Sequence, residues 1–182
     1  MNMLKRHYFV LLLLALLFAS PGLAAFLFYK NPQWLGAAAT NKGQLLNPPE
    51  LIAGIKAKPK WRLILWNGKD CADSCLKQLD KLARIRLALG RRLYEVDQWL
   101  ILANDAGALP ESLTQMLAEH DIHILYLPTE TPKNSLLVNG DPQVFIANTS
   151  NYLVLAYALH AAPQDIFHDL KQLLSTTEKK SG

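Results

Sequence analysis

Cysteine is nearly absent from this chain. Cys71 and Cys75 are the only two among 182 residues. A small disulfide-stapled scaffold is thereby excluded, since such folds need several bridges. Histidine is sparse too, with five residues and none between His123 and His160. Several motifs with well-understood chemistry are missing: G-x-S-x-G, the P-loop, H-E-x-x-H and G-x-G-x-x-G. No pair of carboxylates stands out for acid–base work. No histidine stands near either cysteine in sequence, as the base of a thiol hydrolase would need to be supplied from elsewhere. No dense basic and aromatic tract argues for nucleic acid, and a formal charge of +4 is only a mild excess. Charged residues make up 19% against 51% hydrophobic, which excludes a disordered chain and supplies a core. There is no internal repeat and no low-complexity block.

Part of the apolar excess is concentrated at the N-terminus. Lys5 and Arg6 precede a run from Tyr8 to Tyr29, 22 residues without a charge. As a helix this run reaches ~33 Å, enough to cross a bilayer. The basic residues before it favour an N-terminus kept in the cytoplasm, with the body of the chain exported. Pro21 and Gly22 interrupt the run, and "GLAA" resembles a signal-peptidase site, so a cleaved signal is the alternative to an anchor. A single anchor argues against a transporter. Exportation changes the meaning of the two cysteines, because disulfides form and persist outside the cytoplasm. A spacing of four staples almost no loop, so a redox or metal role outweighs a stabilising one.

The chain divides into an N-terminus and anchor over 1–30, a spacer and lead-in loop over 31–60, a folded domain over 61–175 and a flexible tail over 176–182. The spacer is rich in Pro, Gly and Asn and keeps no period of 2 or 3.6. The domain alternates strand and helix patterns. Apolar runs at Trp61–Asn67, Gln98–Asn104 and Ile122–Pro128 read as buried strands. A long helix is expected from about Ser74 to Leu93, and a second after Pro110. "QVFIAN" and "YLVLAY" flank "TSN" as a hairpin, and Pro163 opens a last helix with Ile166, Phe167, Leu170, Leu173 and Leu174 on one face. The expected class is α/β, with helices on both faces of a small central sheet.

A dithiol directly after the first strand, at the start of the first long helix, resembles the thioredoxin fold. That resemblance makes Pro142, just before the first hairpin strand, the candidate for a cis-proline beside the dithiol. An ordinary trans proline opening an edge strand is the alternative. Cys71 falls in the loop and Cys75 in the first helical turn, where free amides and the helix dipole stabilise a thiolate. Lys69 adds positive charge near the pair, while Asp70 and Asp73 oppose it. A thiolate serves both disulfide exchange and Cu(I) binding, since two soft sulfurs suit that ion. The loop placement of Cys71 also relieves the strain that a disulfide at this spacing would put on a continuous helix.

Strand, C-x-x-x-C, then helix is similar to the Sco/SenC family of membrane-anchored, thioredoxin-like copper proteins. The stretch "CADSCLKQLDKLARIRLALGRRLYEVDQWLIL", with "TNKGQLLNPP" before it, resembles small Sco-like proteins of the bacterial inner membrane associated with cytochrome c oxidase assembly. The resemblance implies a single-pass protein with its C-terminal domain in the periplasm. It also implies copper handled by Cys71 and Cys75 with a distant histidine. That histidine's place is taken here by Gly140, and His160, after the hairpin, is the nearest substitute. The function expected is help in oxidase assembly, by Cu(I) delivery or by reducing the copper-site cysteines. The implied partners are the inner membrane and a respiratory oxidase subunit or another periplasmic thiol protein, without nucleic acid. The alternatives are a general periplasmic thiol–disulfide oxidoreductase, which would more often carry C-x-x-C, and a non-catalytic membrane interaction module.

Two further features bear on that last alternative. Lys77, Lys81, Arg84, Arg91 and Arg92 gather on one side of the expected first helix. They form either a solvated face or a surface for anionic lipid or an acidic partner. Arg86 falls among the apolar positions and needs a buried acid or a route to the surface.

Overall fold

The computed structural model describes residues 3–31, 40–56, 58–129, 131–132, 135–139, 141 and 143–181. Pro142 and Gly140 lie outside the described residues. The chain forms two units, Met1–Thr40 and Asn41–Gly182.

The first unit carries helix α1, Met3–Lys30. Within His7–Lys30 an 18-residue window reaches a mean hydropathy of 2.5, and the helix is long and apolar enough to cross a membrane. Pro21 does not end it. Proline removes one backbone donor, yet the helix continues over nine further residues to Lys30.

The second unit is built on one six-stranded sheet. Its strands are β1 (Gln44–Leu51), β2 (Trp61–Asn67), β3 (Val96–Leu102), β4 (Ile122–Tyr126), β5 (Gln143–Ala147) and β6 (Tyr152–Ala158). Their spatial order is β1-β6-β5-β2-β3-β4. β2, β3 and β4 run parallel, and the other pairs are antiparallel. Every residue of β3 is buried, and so are the five central residues of β2. That is why Leu63–Trp66 and Trp99–Leu102 read as continuous apolar runs rather than alternations. The hairpin turn lies where "TSN" placed it, with Asn151 in the left-handed region at φ 68° and its backbone N–H donating to the Asn148 carbonyl at 3.0 Å.

Three helices of more than two turns complete the unit: α2 (Asp73–Ala88), α3 (Glu111–Glu119) and α5 (Pro163–Ser181). The expected thioredoxin-like central sheet with flanking helices is present, and its three longer helices share one face. β2, β3 and β4 follow one another across the sheet in one direction. Right-handed crossovers between them put α2 and α3 on the same face. Leu79, Leu82 and Ile85 of α2, Leu117 of α3 and Ile166, Leu170 and Leu174 of α5 share one core with Leu63, Leu100 and Val144 of the sheet. The opposite face holds Trp66, Trp99 and Phe145 under Ile52 and Ile55 of the β1–β2 connection and Leu137 of the one-turn helix α4 (Leu136–Asn139).

Four boundaries also differ from the sequence reading. The 31–60 stretch is not spacer throughout, because β1 occupies Gln44–Leu51. Its residues are mostly exposed, so no apolar period marks it. It is an edge strand, where Pro48 and Pro49 are tolerated, and its register with β6 is irregular between Leu45 and Glu50. The first helix stops at Ala88 rather than Leu93, because Gly90 takes φ +61° and a 3-10 turn, Gly90–Glu95, follows. β3 accordingly starts at Val96, in register with Trp61. At the C-terminus α5 runs on to Ser181, so residues 176–181 continue the helix instead of forming a tail. No Pro or Gly breaks it before Gly182.

A buried carboxylate fixes where the chain enters this unit. Asp169 of α5 accepts hydrogen bonds from the backbone N–H groups of Lys42 and Gly43, at 2.7 and 2.8 Å, and from the Tyr157 hydroxyl at 2.7 Å. Burial pushes its pKa up. The hydrogen bonds from Gly43, His168, Tyr157 and Lys42 outweigh that and hold it below the usual carboxylate range. Burial and this same carboxylate push the Tyr157 hydroxyl far up.

Candidate functional site: the Cys71–Cys75 dithiol

β2 ends at Asn67, and α2 begins at Asp73. Cys71 lies in the loop between them, and Cys75 is in the first turn of α2, as the spacing predicted. The two are joined by a disulfide with Cα atoms 5.1 Å apart. Both belong to the main core cluster, but Cys71 is the more exposed, at 9% against 5% for Cys75.

The end of the helix is prepared for negative charge. The N-cap position is Ala72, extended at φ −85° and ψ −173°, and its side chain supplies no cap. The first intrahelical bond is Leu76 N–H to the Ala72 carbonyl, at 3.1 Å. Among the described residues, the N–H groups of Asp73, Ser74 and Cys75 therefore have no protein acceptor. Ser, Thr, Asp or Asn at the N-cap would have occupied one of them. Here they remain available to a thiolate, together with the positive end of the helix dipole. Lys69 and Asp73 are exposed beside the pair, with opposite signs.

The loop itself is braced. Asn67, the last residue of β2, donates from its side-chain amide to the carbonyls of Lys69 (2.8 Å) and Asp70 (3.2 Å). The Ala72 N–H donates to that same Asp70 carbonyl at 3.0 Å. The Asp70 carboxylate accepts from the Gly107 N–H at 2.9 Å, reaching into the β3–α3 loop. Sequence reading missed Asn67 and Gly107 and gave Asp70 a charge role alone. The available signal was a short polar side chain at a strand end, the kind that bonds nearby backbone groups in turns.

Register shows what else shares this end of the sheet. Trp66 pairs with Gln143, and Gln143 pairs with Ala158. Asp141, Gln143 and His160 thus sit at the same end as the dithiol. A groove of about 440 Å³ there is lined by Gln44, Asp141, Gln143, Tyr157 and His160. His160 is exposed. His123 lies toward the other end, its ring 4.7 Å from that of Trp99, and His120 follows α3. Among the described residues, no group of three or more His, Cys, Asp or Glu is arranged to hold a metal ion. The donors gathered at this site are the two sulfurs, which do not make a three-ligand copper centre.

The basic stripe of α2 is partly committed to structure. Lys81 donates to the Leu159 carbonyl at 2.6 Å, and burial pushes its pKa down. Arg84 pairs with Asp80 and Arg92 with Glu95, both at 3.0 Å. Lys77 and Arg91 are exposed. Arg86 is resolved: its Nε donates to the Val96 carbonyl at 2.7 Å and its guanidinium pairs with Asp121. That guanidinium, chiefly through its hydrogen bond, holds the Asp121 carboxyl below the usual range against a smaller upward push from burial.

Residues 61–177 match the model of a family described as the transmembrane-like, thioredoxin-like, C-terminal domain. The chain belongs to that family. In this thioredoxin-like domain the β2–α2 junction is where the two cysteines stand. No curated protein matches the chain by sequence. Among solved structures, apo Sco1 from Thermus thermophilus is similar with a TM-score of 0.52 and 15% identity, over 73% of this chain and 96% of that one. Copper-bound yeast Sco1 is similar with a TM-score of 0.50 and 18% identity, over 64% and 78%. A DsbF homologue from Corynebacterium diphtheriae is similar at 0.47 and 12% identity, over 71% and 90%. At these identities the likeness is one of fold.

Proposed function

We propose that this protein is a membrane-tethered thiol–disulfide exchange protein whose dithiol, Cys71 and Cys75, passes two electrons to a cysteine pair on a partner. The single observation that carries this reading is a closed Cys71–Cys75 disulfide at an uncapped helix start. In the reduced protein the Cys71 thiolate attacks a partner disulfide. A bond forms between Cys71 and one partner sulfur, and the other partner sulfur leaves as a thiolate. The Cys75 thiolate then attacks Cys71, re-forming the Cys71–Cys75 bond and releasing the partner's second thiolate. The partner gains two electrons and is left as a dithiol. A dithiol reductant of the same compartment returns the protein to its reduced form.

The α1 anchor and the basic residues before it favour a domain in the periplasm of a bacterial inner membrane. The partner proposed there is a respiratory oxidase subunit whose copper-site cysteines must be reduced before they take metal. A second reading treats Cu(I) as cargo on the same two sulfurs, whose number and closeness suit a soft ion. His160, at the same sheet end, is the proposed additional donor in that reading.

Two experiments test these readings. A Cys71→Ser/Cys75→Ser variant made at the wild-type level should lose support for oxidase assembly. Full assembly with that variant would refute any dithiol role. Reduced full-length protein titrated with Cu(I) against a competing chelator decides the cargo reading. One retained copper per chain, weakened by His160→Ala, would support it, and no retained copper would remove it while leaving electron transfer standing.

A further inference from the structure

The bond from the Gly107 N–H to the Asp70 carboxylate joins two loops that otherwise belong to different crossovers. Asp70 directly precedes Cys71 and is exposed, so its hydrogen bond is not explained by burial. The fit is close as well as directed. A Cβ at Gly107 would lie 3.1 Å from Asp70 Oδ1, tighter than ordinary van der Waals contact. Gly107 is thus both the donor and the residue small enough to let the carboxylate in. On the other side, the Asp70 carbonyl is held by Asn67 and by the Ala72 N–H. The residue before Cys71 is fixed at its side chain and at its backbone.

Such fixing acts on one redox state more than the other. In the disulfide form, the Cys71–Cys75 bond already holds the loop against α2. In the dithiol form that bond is gone and the hydrogen-bonded brace remains. Holding Cys71 close to Cys75 raises the effective concentration of one sulfur at the other and favours closure, without any new contact to sulfur.

We propose that Asp70 is a positioning residue for the dithiol, acting through its hydrogen bond to Gly107 to keep the reduced Cys71 poised for ring closure. The proposal deepens the exchange reading and rests on it. It predicts that losing the acceptor shifts the dithiol–disulfide equilibrium toward the open dithiol. The shift expected is about fivefold, the scale of one ordinary net hydrogen bond.

The test equilibrates full-length protein in detergent micelles with a series of dithiothreitol redox buffers. Free thiols are counted by alkylation and mass. Asp70→Ala should shift the equilibrium about fivefold toward the dithiol, the value of one ordinary lost hydrogen bond. Asp70→Asn keeps an oxygen acceptor for Gly107 and should stay within about twofold of wild type. Gly107→Ala keeps the donor but crowds the carboxylate, so it should fall between these two. Asp70→Ala/Gly107→Ala should shift no further than Asp70→Ala alone, as expected for two ends of one interaction. Equal shifts in Asp70→Ala and Asp70→Asn would overturn the proposal, because charge rather than the hydrogen bond would then be responsible. No shift in Asp70→Ala and Gly107→Ala would overturn it equally. A wild-type disulfide that stays closed in every buffer would refute the exchange reading itself, and the redox role of the brace with it.

Discussion

Removing the Asp169 carboxylate should loosen the point where the chain enters the folded unit. The side chain is 1% exposed and serves donors on two separated segments, at Lys42–Gly43 and at Tyr157. Asp169→Ala strands the Gly43 N–H and the Tyr157 hydroxyl in a site too enclosed for easy hydration. Each stranded buried group costs about 1–3 kcal/mol, and Lys42 is near enough to solvent to recover its bond from water. The total expected is therefore about 3–5 kcal/mol. Tyr157→Phe removes one donor and leaves the carboxylate three others, so about 1–2 kcal/mol is expected. Urea unfolding of full-length protein in micelles, followed by tryptophan fluorescence, measures both. The pH dependence has a defined sign. The folded pKa of Asp169 lies below its ordinary value of 3.8. Its contribution is fully present above that value and is lost as pH falls through the lower folded pKa. The gap between wild type and Asp169→Ala should be constant near neutrality and shrink only below about pH 4. A loss under ~1 kcal/mol at neutral pH, or a gap that grows on acidification, would refute the reasoning.

Other parts of the fold make equally direct predictions. Gly43→Ala places a Cβ 2.4 Å from Tyr157 Cζ, so it should destabilise by several-fold more than Gly90→Ala in the same urea assay. Gly90→Ala meets open space and suffers only from φ +61°, a cost of roughly 1 kcal/mol. Arg86→Met abandons the Val96 carbonyl and should cost about 2–3 kcal/mol, whereas Asp121→Asn should cost under ~1 kcal/mol. The difference follows from exposure, since the Asp121 side chain is 62% exposed and the Arg86 side chain 9%.

The parts of this fold legible in the sequence were those with one dominant cause. Leu63–Trp66 is buried on both faces and therefore reads as an unbroken apolar run. The Ile166, Leu170 and Leu174 stripe repeats because α5 has one buried face. β1 left no such trace, since an exposed edge strand with two prolines owes its position to pairing with β6. The early stop of α2 turned on one glycine taking a left-handed conformation, a choice that neighbouring residues do not dictate. The shared face of α2 and α3 followed from strand order, which no local pattern encodes. At the site, the loop position of Cys71 and the helical position of Cys75 were both readable from spacing. The Asp70–Gly107 bond was not, because it joins residues 37 apart through a tertiary contact. The partner of Arg86 escaped for the same reason, 35 residues away at Asp121.

Cys71 and Cys75 are proposed to form an exchanging pair in which the Cys71 thiolate attacks first and Cys75 resolves. Reacting reduced full-length protein with oxidised glutathione, and mapping adducts by mass, tests this most directly. Wild type should end as the Cys71–Cys75 disulfide with little adduct. Cys75→Ser should hold one glutathione on Cys71, and Cys71→Ser should react more slowly, because Cys71 lies in the loop and Cys75 within the first turn of α2. Equal adducts on either single variant would contradict the order of roles, and no reaction of the wild-type dithiol would contradict the account as a whole.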